Sequence, residues 1–298
     1  TAEGTETDNI IFTSNSADPS SGDWYGIHLQ SNNAHGSIEH CNISYSTYGV
    51  RVNDLGGPVS DTLRVKNNTI HHAGSGLHIY QSQRHHEIIN NTIESCSGYG
   101  MYFRYGYEPC TSNIIGNHID MVQSHGIEVY QMGSVRMSEN VVSGGNDSWG
   151  VYARYSAEFL MTSDSVNNKG SGVYLEQIGR GELLNCTIEE NNGWGVQLER
   201  SNVTVENCTI TNNYGGVYVN TNFESPTVDT LRYNTIMNND QSGVENHGYG
   251  RPLVQFNDLY DNGSYDFQNY STAWSELDAR YNWWGQATTD SMDLGGNP

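Results

Sequence analysis

The chain has 298 residues, and its 34 acidic residues against 13 basic ones give a formal net charge of −21. Nucleic acid and anionic membranes are polyanions, so this charge disfavours both as partners. No apolar run approaches the roughly eighteen residues of a membrane-spanning helix, so no membrane insertion is predicted. The hydrophobic fraction of 35% suits a narrow internal core.

The first five residues contain no apolar run, and Ile10 to Ser14 is already predicted to be a strand. We therefore expect a trimmed product of a larger secreted chain, extracellular or at the cell surface, and either a monomer or one part of that larger chain.

A Gly-led segment recurs along most of the chain, at spacings of 21 to 27 residues. A repeat of this length predicts a solenoid, in which each repeat packs on its neighbours. The leading glycines are Gly26, Gly49, Gly76, Gly100, Gly126, Gly150, Gly172, Gly195, Gly216 and Gly243.

An Asn-x-Ile step recurs in phase with the glycines for about eleven repeats and ends at Asn282. Asn tolerates the left-handed backbone of a tight bend, and its amide can bond the equivalent Asn one coil away. Cys takes the Asn position in three repeats. The ladder includes Cys41, Asn68, Asn91, Asn117, Cys186, Cys208 and Asn234.

Apolar residues within each repeat alternate with polar or aromatic ones, as where Val173 and Leu175 flank Tyr174. Alternation of period two predicts strands. Short strands in coils of this length predict an all-β parallel β-helix, with strands stacked about 4.8 Å apart. We predict one domain over residues 1–298, with an initial coil (1–25), regular coils (26–256) and C-terminal coils with a cap (257–298).

Insertions follow the Gly-led strand at residues 53–61, 105–112 and 220–230, and we expect them to form walls along one face. At the C-terminus, Trp274, Trp283 and Trp284 are candidates to close the exposed end of the core.

The Asn-x-Ile step, the Gly-led strand and the closing Tyr281-Asn282-Trp283-Trp284-Gly285 resemble the right-handed parallel β-helix proteins of the pectate-lyase-like superfamily. The resemblance implies a right-handed coil, but it does not fix the function, since the superfamily contains lyases, hydrolases, epimerases, adhesins and inert stalks. The paired aspartates of polygalacturonase-like relatives and the Tyr-Gly-x-Asp-Pro-His of alginate epimerases are missing, which argues against both identities.

The second and fourth residues after each Gly are predicted to face outward. At the second position stand His28, Arg51, His78, Tyr102, Glu128, Tyr152, Tyr174, Gln197, Tyr218 and Glu245. At the fourth stand Gln30, Asn53, Tyr80, Arg104, Tyr130, Arg154, Glu176, Glu199, Asn220 and His247. A third column, just before Gly, contains Tyr25, Tyr48, Tyr99, His125, Trp149 and Trp194.

Rings and arginines on one face predict a polysaccharide lying along the solenoid axis, with sugars on tyrosines and acidic groups on arginines. Tyrosines also stack well across strands without any ligand, which is the structural alternative. The predicted substrate-binding residues are Arg51, Tyr80, Glu128, Trp149, Tyr152, Tyr174 and Trp194.

Cleavage of a uronate by β-elimination needs a group to neutralise the carboxylate, a base and an acid. Arg104 or Arg154 suits the first role, and His78, Tyr80, Tyr102 or Tyr130 the others, with tyrosine pKa values lowered by the arginines. The candidate catalytic residues are therefore His78, Tyr102, Arg104, Tyr130 and Arg154.

Two other functions stay open. Glu176 and Glu199 lie in one column of adjacent coils, which allows the carboxyl pair of a retaining glycoside hydrolase or, more simply, two solvated carboxylates. A noncatalytic adhesin, stalk or carbohydrate-binding module of a larger cell-surface protein fits the absence of any known catalytic motif.

No cofactor is firmly indicated. Calcium is the one candidate, because several acidic residues fall in insertions, although no Asp-x-Asp-x-Asp-Gly run supports it. These are Asp54, Asp61, Glu108, Glu224 and Asp229. The pairs His71-His72 and His85-His86 are placed in turns without further ligands, so no metal site is predicted.

The five cysteines cannot all pair within one chain. Cys186 and Cys208 occupy equivalent places in adjacent coils, where a disulfide or two free thiols in an internal column are both compatible with the spacing. Cys96 and Cys110 bracket one Gly-led strand and are the other candidate pair.

Overall fold

The computed structural model describes residues 1–30, 36–53, 62–145, 148–221, 228–271 and 277–293, without the side chains of residues 107, 108 and 291–293. The described chain winds as a right-handed parallel β-helix of about ten turns, close to the predicted coil number. No helix among the described residues is long and apolar enough to cross a membrane.

Each coil contributes strands to three faces. The first face holds the Gly-led strands Ile27–Gln30, Tyr48–Asn53, Ser75–Tyr80, Met101–Ile115, Ile127–Ser138, Trp149–Arg154, Ser171–Glu176, Trp194–Glu199, Gly215–Thr221, Val244–Gly248 and Phe267–Asn269. The second face holds Ala2–Glu3, Gly36–Glu39, Thr62–Lys66, His85–Ile89, Glu158–Thr162, Arg180–Leu184, Val203–Glu206, Thr230–Arg232 and Leu253–Gln255. The third face holds Ile10–Phe12, Cys41–Ser44, Thr69–His71, Thr92–Glu94, His118–Asp120, Val141–Ser143, Ser165–Asn167, Thr187–Glu189, Thr209–Thr211, Thr235–Met237 and Asp258–Tyr260.

Two long strands, Met101–Ile115 and Ile127–Ser138, continue from the first face into the second and join these faces into one sheet of 20 strands. The predicted insertion at residues 105–112 is therefore not a separate loop. It is part of a continuous strand whose register shifts between Gly106 and Thr111. Most of the other two insertions, residues 54–61 and 222–227, lies outside the described residues.

The leading glycines are required by close packing at the corner before the first face. A Cβ at Gly100 would lie 2.5 Å from the carbonyl oxygen of Gly126 and 2.5 Å from Cγ2 of Ile119, closer than any side chain can approach. Glycine therefore recurs because the interior leaves no room for a methyl group at this corner.

The predicted ladder is confirmed. Nδ2 of Asn68 donates to Oδ1 of Asn91 at 2.9 Å, Asn91 donates to Asn117 at 3.0 Å, and Asn117 to Asn140 at 2.9 Å. Asn140 then donates to a carboxylate, Asp164, at 2.7 Å. The ladder satisfies polar groups that burial would otherwise leave unpaired.

All five cysteines are buried free thiols, so the free-thiol alternative holds for both candidate pairs. The backbone N–H of Cys186 donates to Sγ of Cys208 at 3.4 Å, which makes the thiols part of the ladder.

A second ladder, which the sequence analysis missed, runs along the turn after the third face. Asn191 donates to Asn213 at 2.8 Å, Asn213 to Asn239 at 3.2 Å, and Asn239 to Asn262 at 2.9 Å. The buried Lys169 occupies the same column and reaches back to the carbonyl oxygen of Val122, with Nζ at 3.5 Å. Both ladders fix the bends of every coil they enter.

The C-terminal region keeps the coil pattern and then ends in a helix, Gly285–Asp293, which the sequence did not predict. Trp284 packs against the core as expected. Trp283 does not close the core, because it is 46% exposed and instead packs on the ring of Tyr260 at 4.8 Å. Trp274 lies outside the described residues.

Candidate functional site

The outward columns of the first face form in the predicted register. Strand pairing places Arg51 beside His78, His78 beside Tyr102, and Tyr102 beside Glu128. The other column aligns Tyr80, Arg104, Tyr130, Arg154, Glu176 and Glu199 in the same way. We call these columns, together with the residues one place before and five places after each leading Gly, the aromatic face.

Arg104 lies at the centre of a cluster of tyrosines. Its Cζ is 4.7 Å from the ring centroid of Tyr130 and 4.8 Å from that of Tyr105. Its Nη1 donates to the hydroxyl of Tyr102 at 2.9 Å. The guanidinium is therefore held by ring contacts and by hydrogen bonding to neutral tyrosine hydroxyls, and no described carboxylate is in ion-pair contact with it.

Arg51 is held in a similar way at the N-terminal end of the aromatic face. Its Cζ lies 4.8 Å from the ring centroid of Tyr48, and its Nη1 donates to the hydroxyl of Tyr25. The described residues include no carboxylate in ion-pair contact with Arg51 either. Neither guanidinium is therefore in ion-pair contact with a described carboxylate, so each can meet an anionic group of a ligand.

Arg154 has a different environment. Its Cζ lies 5.0 Å from the Tyr155 ring, but its Nε is 2.5 Å from Oε2 of Glu176. Arg200 contacts Oε1 of the same carboxylate, and Glu176 is only 3% exposed. Glu176 is therefore not the solvated carboxylate considered above, and Arg154 is already paired.

His78 and Tyr102 lie face to edge, with ring centroids 4.6 Å apart. Burial, with a smaller contribution from the charge of Arg51, lowers the pKa of His78 to about 4. His78 is therefore neutral near pH 7, and its ring adds no positive charge to that of Arg51 and Arg104.

The expected lowering of tyrosine pKa values is wrong for Tyr102. Burial raises the pKa of Tyr102 and outweighs the hydrogen bond from Arg104. Tyr102 therefore keeps its proton at neutral pH, which suits an acid and not a base.

Glu128 occupies the next coil. Burial raises the pKa of this carboxyl, against a hydrogen bond from Tyr99 and the charge of Arg104. Oε2 of Glu128 is 4.0 Å from Nε2 of His125, whose Nδ1 accepts the backbone N–H of Trp149 at 3.2 Å. Burial also lowers the pKa of His125 to about 4, so this contact is not an ion pair at neutral pH.

The rings of the aromatic face form two connected series. His125, Tyr152 and Tyr174 stack nearly parallel, with centroids 4.6 and 4.8 Å apart. The second series meets edge to face, with successive centroids 5.5, 5.7 and 5.3 Å apart, and consists of Tyr80, Tyr105, Tyr130 and Tyr155.

Six of the predicted binding residues therefore belong to one continuous surface. Trp149 joins it through Tyr174, with ring centroids 5.1 Å apart. Trp194 lies further along the same face and contacts Tyr218 at 5.3 Å.

Three residues of this face were missed from the sequence. Tyr155 and Arg200 follow directly after their Gly-led strands, and Tyr105 occupies the equivalent place inside the long strand Met101–Ile115. All three have left-handed φ values, of 57°, 51° and 62°. Each stands five residues after its leading Gly, so a fifth-position column was the signal that would have found them.

The described residues include no group of three or more His, Cys, Asp or Glu side chains placed to hold a metal ion. Asp229 is 1% exposed, and burial raises its pKa to about 7, so it is not an exposed calcium ligand. Asp54, Asp61, Glu224 and the side chain of Glu108 lie outside the described residues.

The prediction that both histidine pairs lie in turns is wrong. His71 ends one strand, and its Nδ1 lies 2.8 Å from Nδ1 of His72. His85 and His86 begin a strand, where the buried His86 is hydrogen-bonded to Ser82 and Ser112.

Sequence and structure together define the class of protein. The family model for the right-handed β-helix region matches residues 1–111 and 104–259, and the chain belongs to this family. None of the curated proteins shows a significant sequence match to the chain.

Solved structures of the same fold were found. The chain is similar to the catalytic domain of a GH87 alpha-1,3-glucanase in complex with tetrasaccharides, with a TM-score of 0.50 and 10% identity over 96% of this chain and 69% of that one. It is also similar to the A-module of the Azotobacter vinelandii mannuronan C-5 epimerase AlgE4, with a TM-score of 0.35 and 11% identity over 89% and 90% of the two chains. At these identities the likeness concerns the fold.

Proposed function

We propose that this protein is a secreted, polysaccharide-active β-helix that binds an anionic polysaccharide along the aromatic face. The observation that carries the proposal is the pair of arginines, Arg51 and Arg104, held against tyrosine rings without a described carboxylate partner. Arginine recognises carboxylates and sulfates, while the rings beside it accept the apolar faces of sugars.

The spacing of the arginines supports a polymer. Arg51 and Arg104, which lack a described carboxylate partner, belong to the coils led by Gly49 and Gly100, with one coil between them. Two coils of about 4.8 Å give an axial repeat of about 9.6 Å, which is close to the length of two units of an extended polysaccharide. The glucanase of the same fold, which was solved with tetrasaccharides, also supports a carbohydrate ligand.

We further propose that the cluster of His78, Tyr102 and Arg104 cleaves uronate polymers by β-elimination. Arg104 pairs with the sugar carboxylate, and neutral His78 takes the proton from the adjacent carbon. The bond from the sugar to the leaving oxygen breaks as a carbon–carbon double bond forms, and Tyr102 gives its proton to that oxygen. The three side chains are in contact: the ring centroids of His78 and Tyr102 lie 4.6 Å apart, and Nη1 of Arg104 donates to the hydroxyl of Tyr102 at 2.9 Å.

The test is absorbance near 235 nm, where the unsaturated product absorbs, during incubation with polygalacturonate, alginate and hyaluronan. We expect a rise on at least one polymer that falls by about 100-fold in His78→Gln and in Tyr102→Phe. The matched control Tyr233→Phe removes the hydroxyl of a 52% exposed tyrosine away from the aromatic face and should keep the wild-type rate. A rise that survives both cluster substitutions would refute this assignment of the residues.

The second candidate is a noncatalytic carbohydrate-binding module of a larger cell-surface protein. The observation that favours it is the closed group of Arg154, Glu176 and Arg200, where charges are already paired. Retention of the protein by an acidic polysaccharide in a native gel, with no absorbance change on any polymer, would establish this function instead.

Hydrolysis by Glu176 and Glu199 has less support. The two carboxylates are in register in adjacent coils, as predicted. Both oxygens of Glu176 are occupied by arginines, however, so neither is free to attack a sugar or deliver a proton.

A further inference from the structure

The aromatic face changes its chemistry halfway along the solenoid. In the coils led by Gly49 to Gly150, the described outward columns carry three arginines, Arg51, Arg104 and Arg154, against one carboxyl, Glu128. In the coils led by Gly172 to Gly243, the same columns carry three carboxylates, Glu176, Glu199 and Glu245, and no arginine. We call these the basic half and the acidic half.

Rings continue across both halves. In the acidic half Trp194 contacts Tyr218, with centroids 5.3 Å apart, and Tyr218 stacks on His247 at 4.7 Å. His247 in turn lies 4.7 Å from Tyr270. The platform that stacks sugars therefore extends beyond the arginines, onto coils where the charge is reversed.

Two carboxylates of the acidic half, Glu199 and Glu245, each contact a side chain two residues away on the same strand. Oε1 of Glu199 accepts from Nε2 of Gln197 at 2.6 Å, and Oε2 of Glu245 is 3.0 Å from Nε2 of His247. Carboxylates and amides beside rings accept and donate hydrogen bonds to sugar hydroxyls, which requires no charge on the sugar. A sugar carboxylate placed there would be repelled.

The boundary between the halves is the buried carboxylate of Glu176. Arg154 approaches it from the basic half, and Arg200, at the end of the next strand, approaches it from the acidic half. Glu176 is paired with both arginines, so the buried carboxylate at the junction is not left without an ion-pair partner.

We infer that the polysaccharide bound by this face is mixed, with acidic sugars on the basic half and uncharged sugars on the acidic half. The inference rests on the proposed function, because it assumes that the aromatic face binds a polysaccharide, and it names the class of polymer. A polymer with carboxylates along its whole length satisfies only the basic half, whereas a neutral polymer leaves the arginines unused.

The test uses affinity electrophoresis in gels containing polygalacturonate or alginate in three forms: intact, half carboxyl-reduced and fully carboxyl-reduced. Carboxyl reduction converts uronate units into neutral sugars and keeps the backbone and linkages. We expect the half-reduced form of the recognised polymer to bind about threefold or more tightly than the intact one, because carboxylates no longer face Glu199 and Glu245.

Variants in each half sharpen the test. Glu199→Gln should raise affinity for the intact polymer by about threefold and narrow its difference from the half-reduced form. Arg104→Ala should lower the affinity for the intact and half-reduced forms by about tenfold while leaving the affinity for the fully reduced form nearly unchanged. Glu189→Gln, an equivalent change on the third face, is the control and should bind like the wild type.

The outcomes separate the inference from the proposed function. Tightest binding to the intact polymer, with Glu199→Gln without effect, would overturn the mixed-polymer inference and leave an anion-binding face. No retention by any form of either polymer would count against the proposed function itself. Thermal unfolding of each variant confirms that it is folded.

Discussion

The first and third faces are built in the same way and carry different side chains. Both consist of parallel strands stacked coil upon coil with alternate residues outward. On the third face one outward column pairs threonine with threonine, as Thr69 with Thr92 and Thr209 with Thr235. On the first face the equivalent columns carry tyrosine, histidine and arginine. The β-helix is satisfied by threonine on its surface, so the rings of the first face are not a requirement of the fold.

The largest change in stability is expected at Asp229, in the interior of the coil that lies behind both faces. Asp229 is buried, with Oδ1 accepting the N–H of Val203 at 3.0 Å, and burial raises its pKa from 3.8 to about 7. A raised carboxyl pKa favours the protonated folded state, so stability is fully present below about pH 4 and is lost as pH rises to about 7.

Asp229→Asn keeps the acceptor and removes the charge. At about pH 8 it should raise the free energy of unfolding by up to about 4 kcal/mol, and at about pH 4 by little. Urea unfolding at both pH values measures this. Equal stability of the two proteins at the higher pH would show that Asp229 ionises in the fold without cost.

The next largest loss of stability is expected from a substitution that breaks the Asn ladder. Asn117→Leu removes the acceptor for Asn91 and the donor to Asn140 and to the carbonyl oxygen of Ile88. We expect a loss of about 3 kcal/mol in the free energy of unfolding, because buried groups are left unpaired.

The outward control for the ladder is Thr92→Ala, which should change the free energy of unfolding by less than about 0.5 kcal/mol. Chemical denaturation of both variants decides the point. Similar losses in the free energy of unfolding from the two variants would mean that the outward threonines of the third face stabilise the fold as much as the buried ladder does.

On the aromatic face, Tyr130→Ala removes a ring that holds Arg104, whose Cζ lies 4.7 Å from its centroid. Affinity for the recognised acidic polymer should fall by about tenfold, the combined loss of ring stacking and of the positioning of Arg104. Affinity electrophoresis measures this, with Tyr233→Ala as the matched change of a 52% exposed tyrosine away from the face. If Tyr233→Ala weakened polymer binding equally, the aromatic face would not be a distinct binding surface.

The smallest effect concerns pH. Neutral His78 is the proposed base and has a pKa of about 4, while burial raises the pKa of the proposed acid, Tyr102. Both groups keep the required protonation from about pH 6 to 9, so kcat/KM should change by less than about twofold there and fall only as pH approaches 4. A steep rise centred near pH 6.5 would instead indicate a histidine with an ordinary pKa.

Local pattern was sufficient for the coil and for the direction of its side chains. The spacing of Gly100, Gly126 and Gly150 set the repeat, and the alternation after each glycine placed Tyr102 and Arg104 outward. Stacking in register then made neighbours of residues about 24 positions apart. For these reasons the columns of the aromatic face could be read in advance.

Features set by bends and by distant partners could not be read in this way. Tyr105 and Tyr155 join the face only because the backbone is left-handed at these two residues. The pairing of Glu176 with two arginines depends on side-chain reach between coils. The same is true of the buried Lys169, which reaches two coils back to Val122.

The sequence by itself determined the repeat, the stacked β-strand coil and the outward columns, because each depends on periodicity along the chain. The tertiary structure alone decided which charges are paired and which groups are buried. It therefore decided that His78 is neutral and that Tyr102 keeps its proton. Desolvation and hydrogen bonding act between coils, and no local pattern in the sequence records them.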